Sequence, residues 1–155
     1  MNLRRILLIS VVALAIICSC SIVCAGESPL NGWHTVNFDG FNFNIPNDYQ
    51  EISQNESGLH FAELNLSSGM NIEYKVFRNT NKNCVVISVL SGPNNLTLNN
   101  ADDIYYSSYG PFSNKTVNGK PGLTSQNNRT FLYVEDGKII CVHPWNENIE
   151  NIIVK

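Results

Sequence analysis

Two Asp-Gly dipeptides restrict this chain more than any other feature, because each closes a hairpin whose register the flanking residues then check. The first stands between His34-Thr-Val-Asn-Phe38 and Phe41-Asn-Phe-Asn-Ile45. Both central positions of a type I′ turn need positive φ, which Asp-Gly supplies. A two-residue turn pairs Phe38 with Phe41, Val36 with Phe43 and His34 with Ile45. Those six share one face, and Thr35, Asn37, Asn42 and Asn44 share the other, the alternation of a strand pair with one buried and one wet side. Pro46 ends the second strand, since it cannot donate to a ladder.

The second dipeptide, Asp136-Gly137, joins Thr130–Glu135 to Lys138–His143. Tyr133 then faces Ile140, Phe131 faces Val142, and Glu135 faces Lys138 as an opposite-charge pair across the turn. Leu132 with Cys141 and Val134 with Ile139 occupy the other face. Both faces are apolar, which predicts a central hairpin covered on both sides.

Between them a looser hairpin reads from Ile72, Tyr74 and Val76, through the polar loop Arg78–Lys82, to Cys84–Leu90. Thr116-Val117 and Gly122–Thr124 read as short strands around Asn118-Gly119. Leu98–Tyr109 reads as a helix with Thr97 as N-cap, Ala101, Ile104 and Tyr105 as its apolar side, Asp102 and Asp103 in its early turns, and Gly110-Pro111 as its stop. A C-terminal helix is expected after Pro144, with Asn146 as N-cap and Ile149, Ile152 and Ile153 as its stripe. Every clear connection is a hairpin, and no strand–helix–strand repeat occurs. The expected fold class is α+β: a mostly antiparallel sheet of six to eight strands with two short flanking helices.

The first residues set the compartment. Arg4 and Arg5 precede an almost wholly apolar run from Ile6 to Cys24. A positive start followed by an apolar run is the secretory pattern. The run also approaches the ~20 residues that span a bilayer. Residues 1–25 are therefore expected to be a signal peptide or an N-terminal membrane anchor, residues 26–32 a short leader, and residues 33–155 one α+β domain. Either fate of the first segment puts the body outside the cell, secreted or tethered to the membrane.

The body carries eight Lys/Arg against thirteen acids, with no basic cluster. Phosphate neutralisation needs such a cluster, so nucleic acid is not an expected partner. Cys84 and Cys141 are the body's two cysteines. Outside the cell they are either a disulfide, worth about 4 kcal/mol by chain entropy, or two buried free thiols in neighbouring strands. Five sequons offer Asn55, Asn65, Asn95, Asn114 and Asn128 as candidate glycosylation acceptors.

Motifs for chemistry are sparse. The body has no Cys-x-x-Cys or His-x-x-x-His spacing for zinc, although Cys141 and His143 share a strand face and His34 falls on an inner face. It has no Gly-x-Ser-x-Gly elbow, P-loop or Gly-x-Gly-x-x-Gly. Mid-strand thiols in apolar runs have raised, not lowered, pKa values. The acid pairs Asp102-Asp103 and Glu135-Asp136 read as helix-end charge and turn chemistry. No catalytic, cofactor or metal residue is therefore expected. Trp33, Tyr105, Tyr106, Tyr109 and Trp145 are the candidate partner surface, with packing against the sheet as their alternative role.

Two stretches, Val36–Pro46 with Tyr49 after it, and Thr116–Gly122 followed by Phe131–Lys138, carry a resemblance. On them the body resembles small exported proteins of unknown function from methanogenic archaea. The opening order of strand, Gly, strand, Ile-Pro and aromatic is also similar to the start of PsbP-like and Mog1-like α+β folds. That likeness implies an antiparallel sheet with flanking helices, and no activity.

The function expected from these readings is a non-enzymatic binding or interaction module of the cell envelope. Its partner would be another envelope protein or a small ligand. A small extracellular hydrolase with dispersed active-site residues and a structural surface glycoprotein are the alternatives.

Overall fold

The computed structural model describes residues 31–57 and 66–155. The expected signal or anchor segment, most of the leader, and Asn65 lie outside the described residues. Among those described, no helix is long and apolar enough to cross a membrane.

The strands are β1 (Trp33–Phe38), β2 (Phe41–Pro46), β3 (Gln50–Ile52), β4 (Asn71–Arg78), β5 (Cys84–Ser91), β6 (Phe112–Val117), β7 (Lys120–Ser125), β8 (Phe131–Glu135) and β9 (Lys138–Pro144). The helices are α1 (Gln54–Ser57), α2 (Leu98–Tyr109) and α3 (Ile149–Ile152). The class is α+β and sheet-dominated, with three short helices among the described residues where two were expected.

β1 and β2 form a separate hairpin with the register read from the sequence, Phe38 opposite Phe41, Val36 opposite Phe43 and His34 opposite Ile45. The other strands form one antiparallel sheet in the order β3-β4-β5-β9-β8-β7-β6. The second Asp-Gly hairpin also takes its expected register, from Glu135–Lys138 to Phe131–Val142. Asp39, Asn118 and Asp136 have φ of 53°, 50° and 50°, each followed by a glycine with positive φ. All three tight turns are thus type I′ in character.

The central strands bury both faces. On one, Val85, Ile87 and Val89 of β5, Phe131 and Tyr133 of β8, and Ile140 and Val142 of β9 meet Phe41, Phe43 and Ile45 of the hairpin and Ile149, Ile152 and Ile153 of the C-terminal segment. On the other, Leu90, Leu132, Ile139 and Cys141 meet Ala101, Ile104 and Tyr105 of α2. The hairpin and α3 thus form one layer, the sheet a second and α2 a third. Each large side chain so buried contributes roughly 1.5–3 kcal/mol. Gly122 is fixed by this packing, because a Cβ there would run into the Leu132 carbonyl and the Phe131 ring.

Thr97 caps α2 as expected, within a full capping box whose second member is Asn100. The first turn of α2 holds no acid, so Asp102 and Asp103 lie too far along to complete it. Asn148, not Asn146, caps α3; its side chain accepts from Glu150 N at 3.1 Å. Asn146 instead donates to Asn83 Oδ1 at 2.6 Å, tying two loops together.

Candidate functional site

The three type I′ turns converge on one end of the molecule. The turns β6–β7 and β8–β9 lie side by side because β7 and β8 pair with Gly122 opposite Tyr133. The β1–β2 turn joins them from the hairpin layer, where Lys138 Nζ lies 2.9 Å from Asp39 Oδ2. Between the turns opens a cleft of about 190 Å³, lined by Gly40, Phe41, Asn42, Lys120, Tyr133, Glu135, Asp136, Val154 and Lys155.

Paired charges and aromatic rings build its walls. Lys120 Nζ donates to both Glu135 oxygens at 2.8 Å and stands 5.4 Å from the centroid of the Tyr133 ring. Lys138 stands 5.8 Å from the centroid of the Phe41 ring. The cross-turn pair of Glu135 with Lys138 expected from the sequence is therefore replaced. Each is opposite the other in register, yet each turns to a partner on a different strand or layer. Burial, and then the Glu135 carboxylate, hold the Tyr133 hydroxyl well above the ordinary phenol range. The cleft thus presents a neutral phenol and the Lys120–Glu135 ion pair, and the Lys138–Asp39 pair joins the turns beside it. These groups can offer hydrogen bonds and paired charge to a small polar ligand.

Asn118 fastens the third turn. Its side-chain amide donates to Ile153 O at 2.6 Å and Glu150 O at 2.7 Å, so the C-terminal segment that lines the cleft is held against the turn. Sequence reasoning found the Asn118-Gly119 turn but not this second task. An Asn-Gly turn gives no signal for what its amide reaches.

The candidate partner aromatics do not form one surface. Tyr105 is 0% exposed, a core residue on the buried stripe of α2, with its hydroxyl 3.4 Å from Ser88 Oγ. Spacing of three and four from Ala101 turns it toward the sheet. Tyr109 is half-buried and tilts over the His143 ring at 5.1 Å. Trp33 packs partly buried against the hairpin-side core. Tyr106 and Trp145 are the exposed members, at 55% and 44%.

The two thiols are free and buried. Ser88 stands opposite Cys141, while Cys84 lies four residues earlier on the same strand, roughly 13 Å along it and beyond the ~7 Å reach of a disulfide. Cys84 Sγ accepts from Arg78 Nε at 3.4 Å. Burial pushes the Cys141 thiol up to about 12, against a lowering hydrogen bond from Ser88.

The histidines are kept apart too. His34 stands opposite Ile45, on the hairpin face expected for it, but is exposed there at the strand's start, with its Nδ1 3.2 Å from Asn47 Oδ1. His143 Nδ1 lies 2.7 Å from Thr130 Oγ1. Burial, and then the nearby Arg129 charge, hold His143 below the ordinary imidazole range. No group of three or more His, Cys, Asp or Glu residues suited to a metal ion occurs among the described residues. Compared with known proteins, the chain matches no family, no curated protein and no solved structure.

Proposed function

We propose that this chain is a non-enzymatic binding module on the outer face of the cell, and that the three-turn end is its recognition surface. The single observation that carries this reading is the convergence of three positive-φ turns and the C-terminal segment on one charged cleft. Recognition residues are commonly borne on connections held by a rigid scaffold. Two side chains with catalytic chemistry are otherwise engaged: Cys141 is buried with a raised pKa, and His143 is held by Thr130 beneath Tyr109. The outward placement rests on Arg4, Arg5 and the apolar run after them. Opposed charges in the cleft favour a partner with both polar and charged groups, such as an envelope peptide or a small zwitterion.

Site-specific photo-cross-linking in the native cell envelope tests this. A photoreactive residue in place of exposed Asn42, at the cleft, should give one dominant adduct. The same residue in place of exposed Gln126, in the β7–β8 loop at the opposite end, should give none. Equal adducts from both positions would remove the case for this surface.

A further inference from the structure

We propose that Asn114 is an N-glycosylation site, and that its glycan covers the open edge of the sheet. β6 is the last strand of the seven-stranded sheet, six residues long, with β7 on one side alone among the described residues. An edge of that length is a template for pairing with another chain unless something covers it. Phe112, Asn114 and Thr116 share one face of β6 because strand residues alternate. It is the face that meets α2, since Phe112 and Leu123 pack against the cluster containing Ile104 and Tyr105, and Asn114 stands opposite Leu123. There Leu98, Phe112, Asn114 and Leu123 border an open cleft of about 320 Å³. A pyranose has a C–H face that lies well on an aromatic ring, and the half-buried Phe112 two residues before the acceptor offers one.

The other described sequons lack this combination. Thr97 spends its hydroxyl on the capping box of α2. Thr130 is 1% exposed with its hydroxyl on His143. Ser57 is half-buried, and its carbonyl is held by Arg78. Asn114 and Thr116 are both exposed.

The reaction is a glycosyl transfer from a polyprenyl-phosphate-linked glycan, catalysed by a membrane transferase. Asn114 Nδ2 forms a bond to the anomeric carbon and loses one proton. The bond from that carbon to the phosphate oxygen breaks, and the lipid phosphate leaves with the electron pair. The transfer requires the export that the N-terminal segment points to, and it stands independently of the turn-end binding site.

Glycopeptide mapping by mass spectrometry of the protein recovered from its native cells tests the proposal. Asn114 should carry a glycan mass in most copies and more often than Asn95 or Asn128. Thr116→Ala should abolish that mass and raise the self-associated fraction several-fold, while Thr116→Ser should retain a lower occupancy. An Asn114 peptide recovered without modification, or occupancy at Asn128 exceeding it, would overturn the proposal.

Discussion

Lys138 Nζ lies 2.9 Å from Asp39 Oδ2, so the turn closing one hairpin is fastened to the turn closing another 99 residues away. The two side chains are about one-third exposed, at 32% and 31%. An ion pair of that exposure contributes roughly 0.2–1 kcal/mol and weakens with salt. Its weight is therefore in aligning the hairpin layer with the sheet more than in stability.

Asp39→Asn isolates this pair, because Asn tolerates the same positive φ. The variant should lose up to about 1 kcal/mol in low salt. The difference should shrink in about 1 M salt, where the screening length falls to ~3 Å. Urea titrations at two salt concentrations measure both.

Gly40 has φ 89° and nothing within 4 Å of the place its Cβ would take, whereas a Cβ at Gly137, φ 72°, would meet Asn95 Oδ1 at 2.5 Å. Gly40→Ala should cost about 1–2 kcal/mol, the conformational penalty alone. Gly137→Ala should cost more. Gly40→Val should lower the melting temperature further than Gly40→Ala, as a β-branched residue resists positive φ. Thermal melts of the three variants decide the order.

Asn118→Asp keeps a residue that accepts φ 50° but sets a carboxylate against two carbonyl oxygens. A loss of roughly 1–3 kcal/mol is expected from the missing donor and the poorly partnered acceptors. Asn118→Gly should cost less, and denaturant unfolding of the pair separates backbone from amide.

His143 gives a pH dependence. Its folded pKa is held below the unfolded value of about 6.5, so the unfolded chain binds more protons in that window. Stability should be full above about pH 6.5 and fall as pH drops from there through the folded pKa. His143→Gln should flatten this part of the profile. A histidine NMR titration should show the His143 midpoint below that of an unfolded control.

The thiols are testable directly. Both should resist alkylation in the native protein at pH 8 and react once it is unfolded, because both are buried and Cys141 has its pKa pushed up to about 12. Intact mass should be the same before and after reduction.

Local chemistry accounts for what could be read from the chain. Turn residues and alternation fixed the registers of both Asp-Gly hairpins, and the cap with its apolar spacing fixed α2. β3 has three residues and α1 four, too short to show a period. Long-range choices were hidden. Nothing near Lys138 in sequence favours Asp39 over Glu135, and nothing in three separate Asx-Gly turns says that they meet. Tyr105 was placed by its stripe neighbours Ala101 and Ile104, so its pattern favoured the core over an exposed surface.

The most direct test of the turn-end site is amide chemical-shift mapping of the 15N-labelled protein against peptide and small-molecule fractions from its own envelope. Binding there requires saturable shifts concentrated at residues 39–42, 118–120, 135–137 and 154–155. Saturable shifts centred instead on the loops at residues 79–83 and 126–129, with the three turns unmoved, would contradict it.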